Sequence, residues 1–250
     1  MTPGLLSLRQ HALLWRVIDQ YIETGEPVSS KALATSGAFE VRSATIRNEM
    51  ADLEDMGFLE QLHTSGGRVP TARAYRLYVN DLVEHEGVNI SHAARRKIDE
   101  ALSETNPRDP EAVSKTLAQL VGELSHNLVM ANSHARPQPY TVGIASLMQI
   151  PEFQEINRMT GLAHFIDQFE QMFVQMQSTV WGREPGEVKV FIGNENPSRQ
   201  IQDEAMIVAR YRLPNGHEGT LTLVGPMRMD YRKNIGLMTY AAQVANKISH

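Results

Sequence analysis

The chain has 250 residues, with 24 Lys and Arg, 29 Asp and Glu, and a net charge of −5. Its 42% hydrophobic and 21% charged residues are typical of a globular protein and exclude a disordered chain. The absence of cysteine excludes disulfides and thiolate metal sites, and no apolar run approaches the roughly 18 residues that a membrane helix needs. We therefore expect a cytoplasmic protein with no membrane contact and, at this length, more than one domain.

Two helices are predicted at the start of the chain. Ser7 can cap the first, whose apolar side chains recur at helical spacing, and Gly25-Glu26-Pro27 ends it. Val28-Ser29-Ser30 begins a second, short helix that runs through Leu33, and Gly37 breaks the chain again. The apolar face of the first helix consists of Leu14, Val17, Ile18, Tyr21 and Ile22.

A third helix begins at Ser43, a residue type that caps helices well. Ile46, Met50 and Leu53 form its buried stripe, while small and polar residues occupy the opposite side. Gly57 is expected to adopt the left-handed conformation that ends the helix, with Phe58 folding back onto the last turn. The pattern indicates a recognition helix with a polar front half.

The next residues predict a β-hairpin with a tight glycine turn, Gly66-Gly67-Arg68. The glycines would let the backbone approach a phosphate, and Arg68 would place one cation at the tip. A helix followed by such a hairpin is typical of a winged helix-turn-helix, which makes double-stranded DNA the first partner to consider. The predicted DNA contacts are Arg42, Ser43, Ala44, Thr45, Arg47, Asn48, His63, Thr64, Gly66, Gly67, Arg68 and Arg73.

A different class of function uses the same elements, because some winged helices bind protein instead of DNA. Residues 1–80 carry eight Lys and Arg against nine Asp and Glu, so DNA binding would depend on local placement of cations and not on bulk attraction. A ligand-sensing or protein-interaction module that does not bind an operator therefore remains the alternative.

The middle of the chain predicts helices. Thr71 can cap one, Ser91 begins another through Leu102, and Pro110 begins a third through about Leu128. Residues 131–140 read as a loop, and a Met- and Phe-rich helix is expected around Leu162 to Met176. Two apolar stripes are either core or dimer interface: one in the Met-rich helix, from Phe169 to Met176, and one formed by Leu117, Leu120, Leu124 and Leu128.

The C-terminal third predicts a small α+β domain. Its strands are Val188 to Gly193, Ala205 to Leu213 and Gly219 to Val224, the last two joined by a turn at Pro214-Asn215-Gly216. Asp230 can cap a final helix.

No catalytic pattern occurs in the sequence. There is no phosphate-binding glycine loop, no nucleophile elbow and no His pair at metal spacing, so we expect neither an enzyme nor a metal or cofactor site. Asn194-Glu195-Asn196 follows a strand and either lines a small-molecule pocket or forms a polar loop.

Three separate blocks of residues, in order, resemble the HrcA family of heat-inducible transcription repressors. The N-terminal block comprises Arg9-Gln10, Glu26-Pro27-Val28, residues 43–50, Leu53-Glu54, Gly57 and residues 63–71; the others comprise Pro151-Glu152-Phe153 with residues 190–197, and residues 225–231.

The resemblance implies a repressor that binds an inverted-repeat operator before chaperone genes. It implies a winged helix joined to a GAF-like domain that carries an inserted dimerisation domain. It also implies a homodimer whose activity depends on a GroEL-type chaperonin.

This chain is shorter than the family pattern, and the deficit falls between Leu128 and Pro151. We expect residues 129–150 to be too few for the dimerisation insert or for part of the GAF-like sheet. The predicted fold is α+β, with a winged helix-turn-helix domain at residues 1–86. A GAF-like regulatory and dimerisation domain at residues 87–250, shortened around 129–150, would follow.

Overall fold

The structure is a computed structural model that describes residues 6–35, 37, 39, 42–62, 66–86, 90–133, 136–179, 187–213 and 216–248. The chain divides into two compact units, Met1–Glu86 and Gly87–His250. Within the described part, no helix is long and apolar enough to cross a membrane.

The N-terminal unit is a winged helix-turn-helix. Its elements, in order, are α1 (Leu8–Thr24), α2 (Ser30–Thr35), α3 (Ser43–Asp55), β1 (Leu59–Glu60), β2 (Val69–Pro70) and α4 (Ala72–Asp81), followed by a π-helical turn (Leu82–Glu86). The strands pair antiparallel, with Leu59 opposite Pro70.

The ends of α1 confirm the sequence prediction. The Ser7 hydroxyl accepts from the Gln10 N–H at 3.2 Å, and the Gln10 side chain accepts from the Ser7 N–H at 3.0 Å. This reciprocal capping box satisfies two N–H groups that the first turn leaves free. Gly25 ends the helix with φ +69°.

The buried stripe of α3 is also confirmed, because Ile46, Met50 and Leu53 are all at most 1% exposed. Gly57 has φ +74°, and the Phe58 N–H donates to the Leu53 carbonyl at 2.9 Å. This is the Schellman arrangement, in which a left-handed glycine satisfies the last carbonyls of a helix.

The prediction that Ser43 caps α3 is wrong. The capping position is Arg42, which makes no side-chain capping bond, and Ser43 is the first helical residue. Its hydroxyl lies 3.3 Å from the Ser30 hydroxyl. Ser43 therefore joins α3 to α2 instead of satisfying its own first turn.

The C-terminal unit is built on a five-stranded antiparallel sheet in the order β4-β3-β7-β6-β5. The strands are β3 (Leu128–Ser133), β4 (Arg136–Val142), β5 (Val188–Ile192), β6 (Glu204–Arg212) and β7 (Glu218–Pro226). The helices are α5 (His92–Glu104), α6 (Pro110–Ser125), α7 (Ile144–Leu147), α8 (Ile156–Thr179) and α9 (Tyr231–Ile248). Three short 3₁₀ turns are Pro151–Gln154, Gly193–Glu195 and Arg199–Ile201.

The two faces of the sheet are covered by different helices, which gives the GAF-like α+β arrangement. Alternate side chains of a strand point to opposite faces. Met206 and Val208 of β6 pack in the same core cluster as Phe165 and Phe169 of α8. Tyr211 points to the other face, where its hydroxyl donates to the Ser114 hydroxyl of α6 at 2.9 Å.

Two predictions around residue 130 are wrong. Helix α6 ends at Ser125, because His126 takes the left-handed conformation with φ +58°, and Leu128 begins a strand. Residues 131–140, predicted as a loop, belong to β3 and β4. Two prolines made the segment read as a loop, but β4 is an edge strand, where proline is tolerated. Residues 129–150 therefore do supply part of the sheet, against our expectation.

The apolar stripe of α6 is core. Leu117 and Leu128 are fully buried and Leu120 is 7% exposed, within the C-terminal unit itself. Phe169 is also buried there, and the side chains of residues 172–176 lie outside the described part. The remaining element predictions, including the α4 cap Thr71 and the α9 cap Asp230, are confirmed. In the predicted turn, Pro214 and Asn215 lie outside the described residues.

Candidate nucleic-acid interface

The N-terminal half of α3 presents an open polar surface. Ala44, Arg47 and Asn48 are exposed, and Thr45 is half-buried. Arg42, just before the helix, is exposed too. Within the described part of the chain, Arg42, Arg47 and Asn48 have no side-chain partner. We call Arg42, Ala44, Thr45, Arg47 and Asn48 the α3 face.

The opposite side of α3 fixes the orientation of this face. The apolar stripe lies against the helical core, and Glu49, only 8% exposed, forms an ion pair with Arg9 of α1. A buried carboxylate is costly unless it is paired, so Arg9 stabilises the helix in this rotation. The sequence analysis did not identify the Arg9–Glu49 pair, because the two residues lie far apart in the chain.

Charges separate along α3. Arg42 and Arg47 belong to its start, whereas Glu49, Asp52, Glu54 and Asp55 lie toward its end. Glu49 and Glu54 are paired with arginines, which reduces the repulsion that the nearly neutral unit would offer to DNA. A further exposed cation, Lys31 of α2, was missed by the sequence analysis, and it has no partner among the described residues.

The tip of the wing falls largely outside the description. His63 and Thr64, predicted as DNA contacts, lie outside the described residues. Gly66, the first described residue after them, is exposed and accepts a hydrogen bond from the Gln61 side chain at 3.3 Å. The remaining part of the motif, Gly66, Gly67 and Arg68, we call the wing base.

The structure gives Gly67 a different role from the one we predicted. A Cβ atom at this position would lie 2.5 Å from the Val28 carbonyl oxygen and 2.6 Å from the Pro27 carbonyl. Glycine is thus required because the wing base passes directly over the backbone that precedes α2. The expectation that Gly67 serves a phosphate approach is replaced by this internal packing.

Arg68 does not place a cation at the wing tip, so that prediction is wrong. Its Nε lies 2.7 Å from the Glu54 Oε2, and its side chain is only 16% exposed. Its backbone N–H and carbonyl both hydrogen-bond to Val28 at 2.9 Å. The short turn from β2 to Val28 holds Arg68 against the body of the unit, where Glu54 neutralises it.

Arg73 is exposed and anchored at the other end of α3. Its Nη1 donates to the Met56 carbonyl at 2.7 Å, and its guanidinium lies 4.6 Å from the centre of the Phe58 ring. A cation at a helix C-terminus is favourable because carbonyl dipoles converge there. Arg73 therefore stabilises the turn between α3 and the wing, and its contact with DNA stays a prediction.

The second candidate site, in the C-terminal unit, is closed. The loop between β5 and β6 (residues 193–203) wraps around Asn196, which is 6% exposed. The Asn196 Nδ2 donates to the carbonyls of Gly193, Ile201 and Glu204 at 2.9, 2.9 and 2.8 Å. The Asn194-Glu195-Asn196 motif is thus a polar loop that binds itself.

One buried acid borders this loop. Glu204 is 3% exposed, and burial raises the pKa of its carboxyl from 4.5 to about 7, while Arg158, at 3.6 Å, lowers it only in part. Among the described residues, no group of three or more His, Asp and Glu is arranged to hold a metal ion.

Known proteins resemble the whole chain. The family model described as the winged helix-turn-helix transcription repressor, HrcA DNA-binding, matches residues 5–83, and that of the HrcA protein C terminal domain matches residues 74–235. The heat-inducible transcription repressor HrcA of Oceanobacillus iheyensis is 30% identical over 94% of each chain. That of Natranaerobius thermophilus is 25% identical over 98% of this chain and 96% of its own.

These alignments extend over 329 and 339 positions, more than the 250 residues of this chain, so the relatives contain residues without a counterpart here. A crystal structure of a hypothetical protein matches with a TM-score of 0.82 and 17% identity, over 98% of this chain and 99% of that one, which shows a shared fold. The chain belongs to the HrcA family of winged helix-turn-helix transcription repressors.

Proposed function

We propose that this protein represses heat-shock (chaperone) genes by binding an inverted-repeat operator as a homodimer, and that it has no catalytic activity. The observation that carries the proposal is the α3 face, an exposed set of polar and small side chains without internal partners on the recognition helix. Because its target is chromosomal DNA, we also propose a cytoplasmic location.

Each type of side chain on the α3 face suits one kind of contact in a major groove. Arginine can donate two hydrogen bonds to guanine, asparagine can pair with adenine, and small or methyl-bearing residues can contact the methyl group of thymine. We assign base reading to Ala44, Thr45, Arg47 and Asn48. We assign phosphate contacts, which position the protein, to Arg42 and Lys31.

The wing and the turn beside it contribute secondary contacts in this proposal. His63, Thr64 and the exposed Gly66 lie at or next to the tip, and we assign them to the DNA backbone. Arg73 reaches phosphate only by sharing its guanidinium with the Met56 carbonyl. Ser43 and Gly67 support the unit from within.

The test is binding of the purified chain to the promoter of its own chaperone operon, compared with a fragment in which the inverted repeat is scrambled. Arg47→Ala should weaken binding to the operator. Arg16→Ala removes the same charge from an exposed α1 position that has no partner in the described part of the chain, and serves as the matched control. Equal binding to both fragments would reject the operator and favour a ligand-sensing or protein-interaction module.

The homodimer follows from operator symmetry, because two half-sites related by a dyad require a protein with a two-fold axis. The α6 stripe is buried in the core, so the dimer interface must use other surfaces. Sedimentation at micromolar concentration, with and without operator, tests this; a strict monomer that binds one half-site would contradict it.

We further propose, on the family resemblance, that a GroEL-type chaperonin helps the repressor to reach its active form. Refolding the chain with and without chaperonin, and measuring the fraction that binds operator, tests this dependence. An active fraction that does not change would contradict it.

A further inference from the structure

The wing base and α3 are joined by an ion pair. Arg68 and Glu54 are separated by 14 positions in the sequence, yet Nε and Oε2 are 2.7 Å apart. Their side chains are 16% and 32% exposed, so the pair is partly shielded from water. A charge-assisted hydrogen bond of this length is stronger than one between neutral groups.

The main chain of Arg68 is fixed independently of its side chain. Both of its polar backbone groups bind Val28, two residues before α2, and Gly67 packs on the same carbonyl. Helix α2 is in turn linked to α3 through the Ser30 and Ser43 hydroxyls. The start of α2, the wing base and α3 thus form a closed circuit, in which the Arg68–Glu54 pair is the direct link from wing to recognition helix.

We propose that the Arg68–Glu54 ion pair fixes the direction of the wing relative to α3, and thereby sets the specificity of operator binding. The inference rests on the proposed function. Arg68 is then a positioning residue, since its guanidinium is held by a carboxylate and is not free to grip a phosphate.

Specificity should depend on this link more than affinity does. Contacts to phosphate fix the register of a protein on DNA, whereas contacts to base edges read the sequence. The wing and α3 must engage one half-site together, so a wing that changes direction removes contacts only where the base contacts demand a fixed register. Non-specific binding has no register and should tolerate the change.

The experiment is a double-mutant cycle in the full chain with Arg68→Gln, Glu54→Gln and the pair of them. Affinity is measured for the chaperone promoter fragment and for the fragment with a scrambled repeat. Asp55→Asn is the matched control, because it removes one acid next to Glu54 from an exposed side chain that has no described partner.

Each single substitution should lower the ratio of operator to scrambled affinity by about threefold or more, and the double variant should lose no more than the worse single, because the residues are coupled. Asp55→Asn should raise both affinities alike and leave the ratio unchanged. The proposal is overturned if Arg68→Gln weakens both fragments equally while Glu54→Gln keeps the ratio, because Arg68 would then be a phosphate contact.

Hydrogen exchange of the free protein separates this inference from the proposed function. The amides of Val28 and Arg68 should exchange faster in Arg68→Gln and Glu54→Gln, but not in Asp55→Asn. If the unsubstituted protein shows no preference for the operator, the proposed function fails, and the exchange result still tests the ion pair. Unchanged exchange in both single variants would show that the pair does not hold the wing.

Discussion

The α3 face and the β5–β6 loop are both short polar segments, and they use their side chains in opposite ways. On the α3 face, Arg47 and Asn48 are exposed and have no partner in the described part of the chain. In the loop, Asn196 is buried and spends its amide on three backbone carbonyls. The comparison teaches that residue type alone does not mark a binding site; hydrogen-bonding capacity left over after folding does.

The wing base extends this comparison. Gly67 and Arg68 read as a phosphate-binding turn, yet both are committed to contacts inside the N-terminal unit. By this criterion the wing base groups with the β5–β6 loop and not with the α3 face. The predictions below test that division, from the largest expected effect to the smallest.

The largest effect should come from the rear of α3. Leu53 is fully buried, so Leu53→Ala should lower the free energy of unfolding of the N-terminal unit by about 2–5 kcal/mol by leaving a cavity. Urea unfolding of the full chain, with hydrogen exchange of α3 as the local probe, measures the loss. Asn48→Ala on the exposed side is the control and should unfold like the parent. Equal stability of both variants would mean that the faces of α3 are misassigned.

The closed character of the β5–β6 loop predicts a stability effect there. Asn196→Ala leaves three carbonyls without their donor, and we expect a loss of about 3 kcal/mol in the C-terminal unit. Asn194→Ala, two residues away on an exposed side chain, provides the matched control and should be nearly neutral. If the Asn196 variant is as stable as the control, the loop is not held by that amide.

Glu204 predicts a pH dependence in the same region. Its pKa is about 7 in the folded protein and 4.5 when the carboxyl is fully hydrated, so the folded state holds its proton more tightly. The stabilisation is complete below pH 4.5 and is lost as pH rises through 7, by up to about 1.4 kcal/mol per pH unit.

Glu204→Gln removes that titration. Between pH 5 and pH 8, the melting temperature of the parent should fall relative to that of the variant. Parallel curves over this range would show that the buried carboxyl does not change protonation there. A steeper fall in the variant would contradict the direction of the shift.

The open character of the α3 face predicts an effect on DNA binding without one on folding. Arg47→Ala or Asn48→Ala should each lower operator affinity about tenfold or more, because a base contact is worth about 1–3 kcal/mol. Fluorescence anisotropy with labelled operator measures the affinity, and the melting temperature should match that of the parent. Unchanged affinity in both variants would remove α3 as the recognition helix.

How much the sequence could predict depends on how local the determining contacts are. The capping box at Ser7 and the glycine turn at Gly57 are written in neighbouring residues, and both were predicted correctly. The strand pair formed by β3 and β4 was missed, because its prolines are acceptable only at the edge of a sheet whose order is set by distant strands.

The partners of the charged residues were the least predictable part of the candidate site. Arg9 with Glu49, and Arg68 with Glu54, meet only after the helices have packed. Their sequence spacing carries no signal of contact, so an arginine that forms an ion pair and one left for DNA look alike in the sequence. The periodicity of Ile46, Met50 and Leu53 was enough to place the α3 face, since a helix fixes both of its sides at once.

Ser43 lies at the border between the two classes and predicts the smallest effect. If its hydroxyl joins α3 to α2 through Ser30, then Ser43→Ala and Ser30→Ala should each cost about 0.5–1.5 kcal/mol of stability. The double variant should cost little more than either single one, because both changes remove the same hydrogen bond. If Ser43 instead capped its own helix, its loss would cost about 1 kcal/mol, whereas Ser30→Ala would add an independent effect. Urea midpoints of the four proteins decide between these outcomes, and additive losses would contradict the link between the two helices.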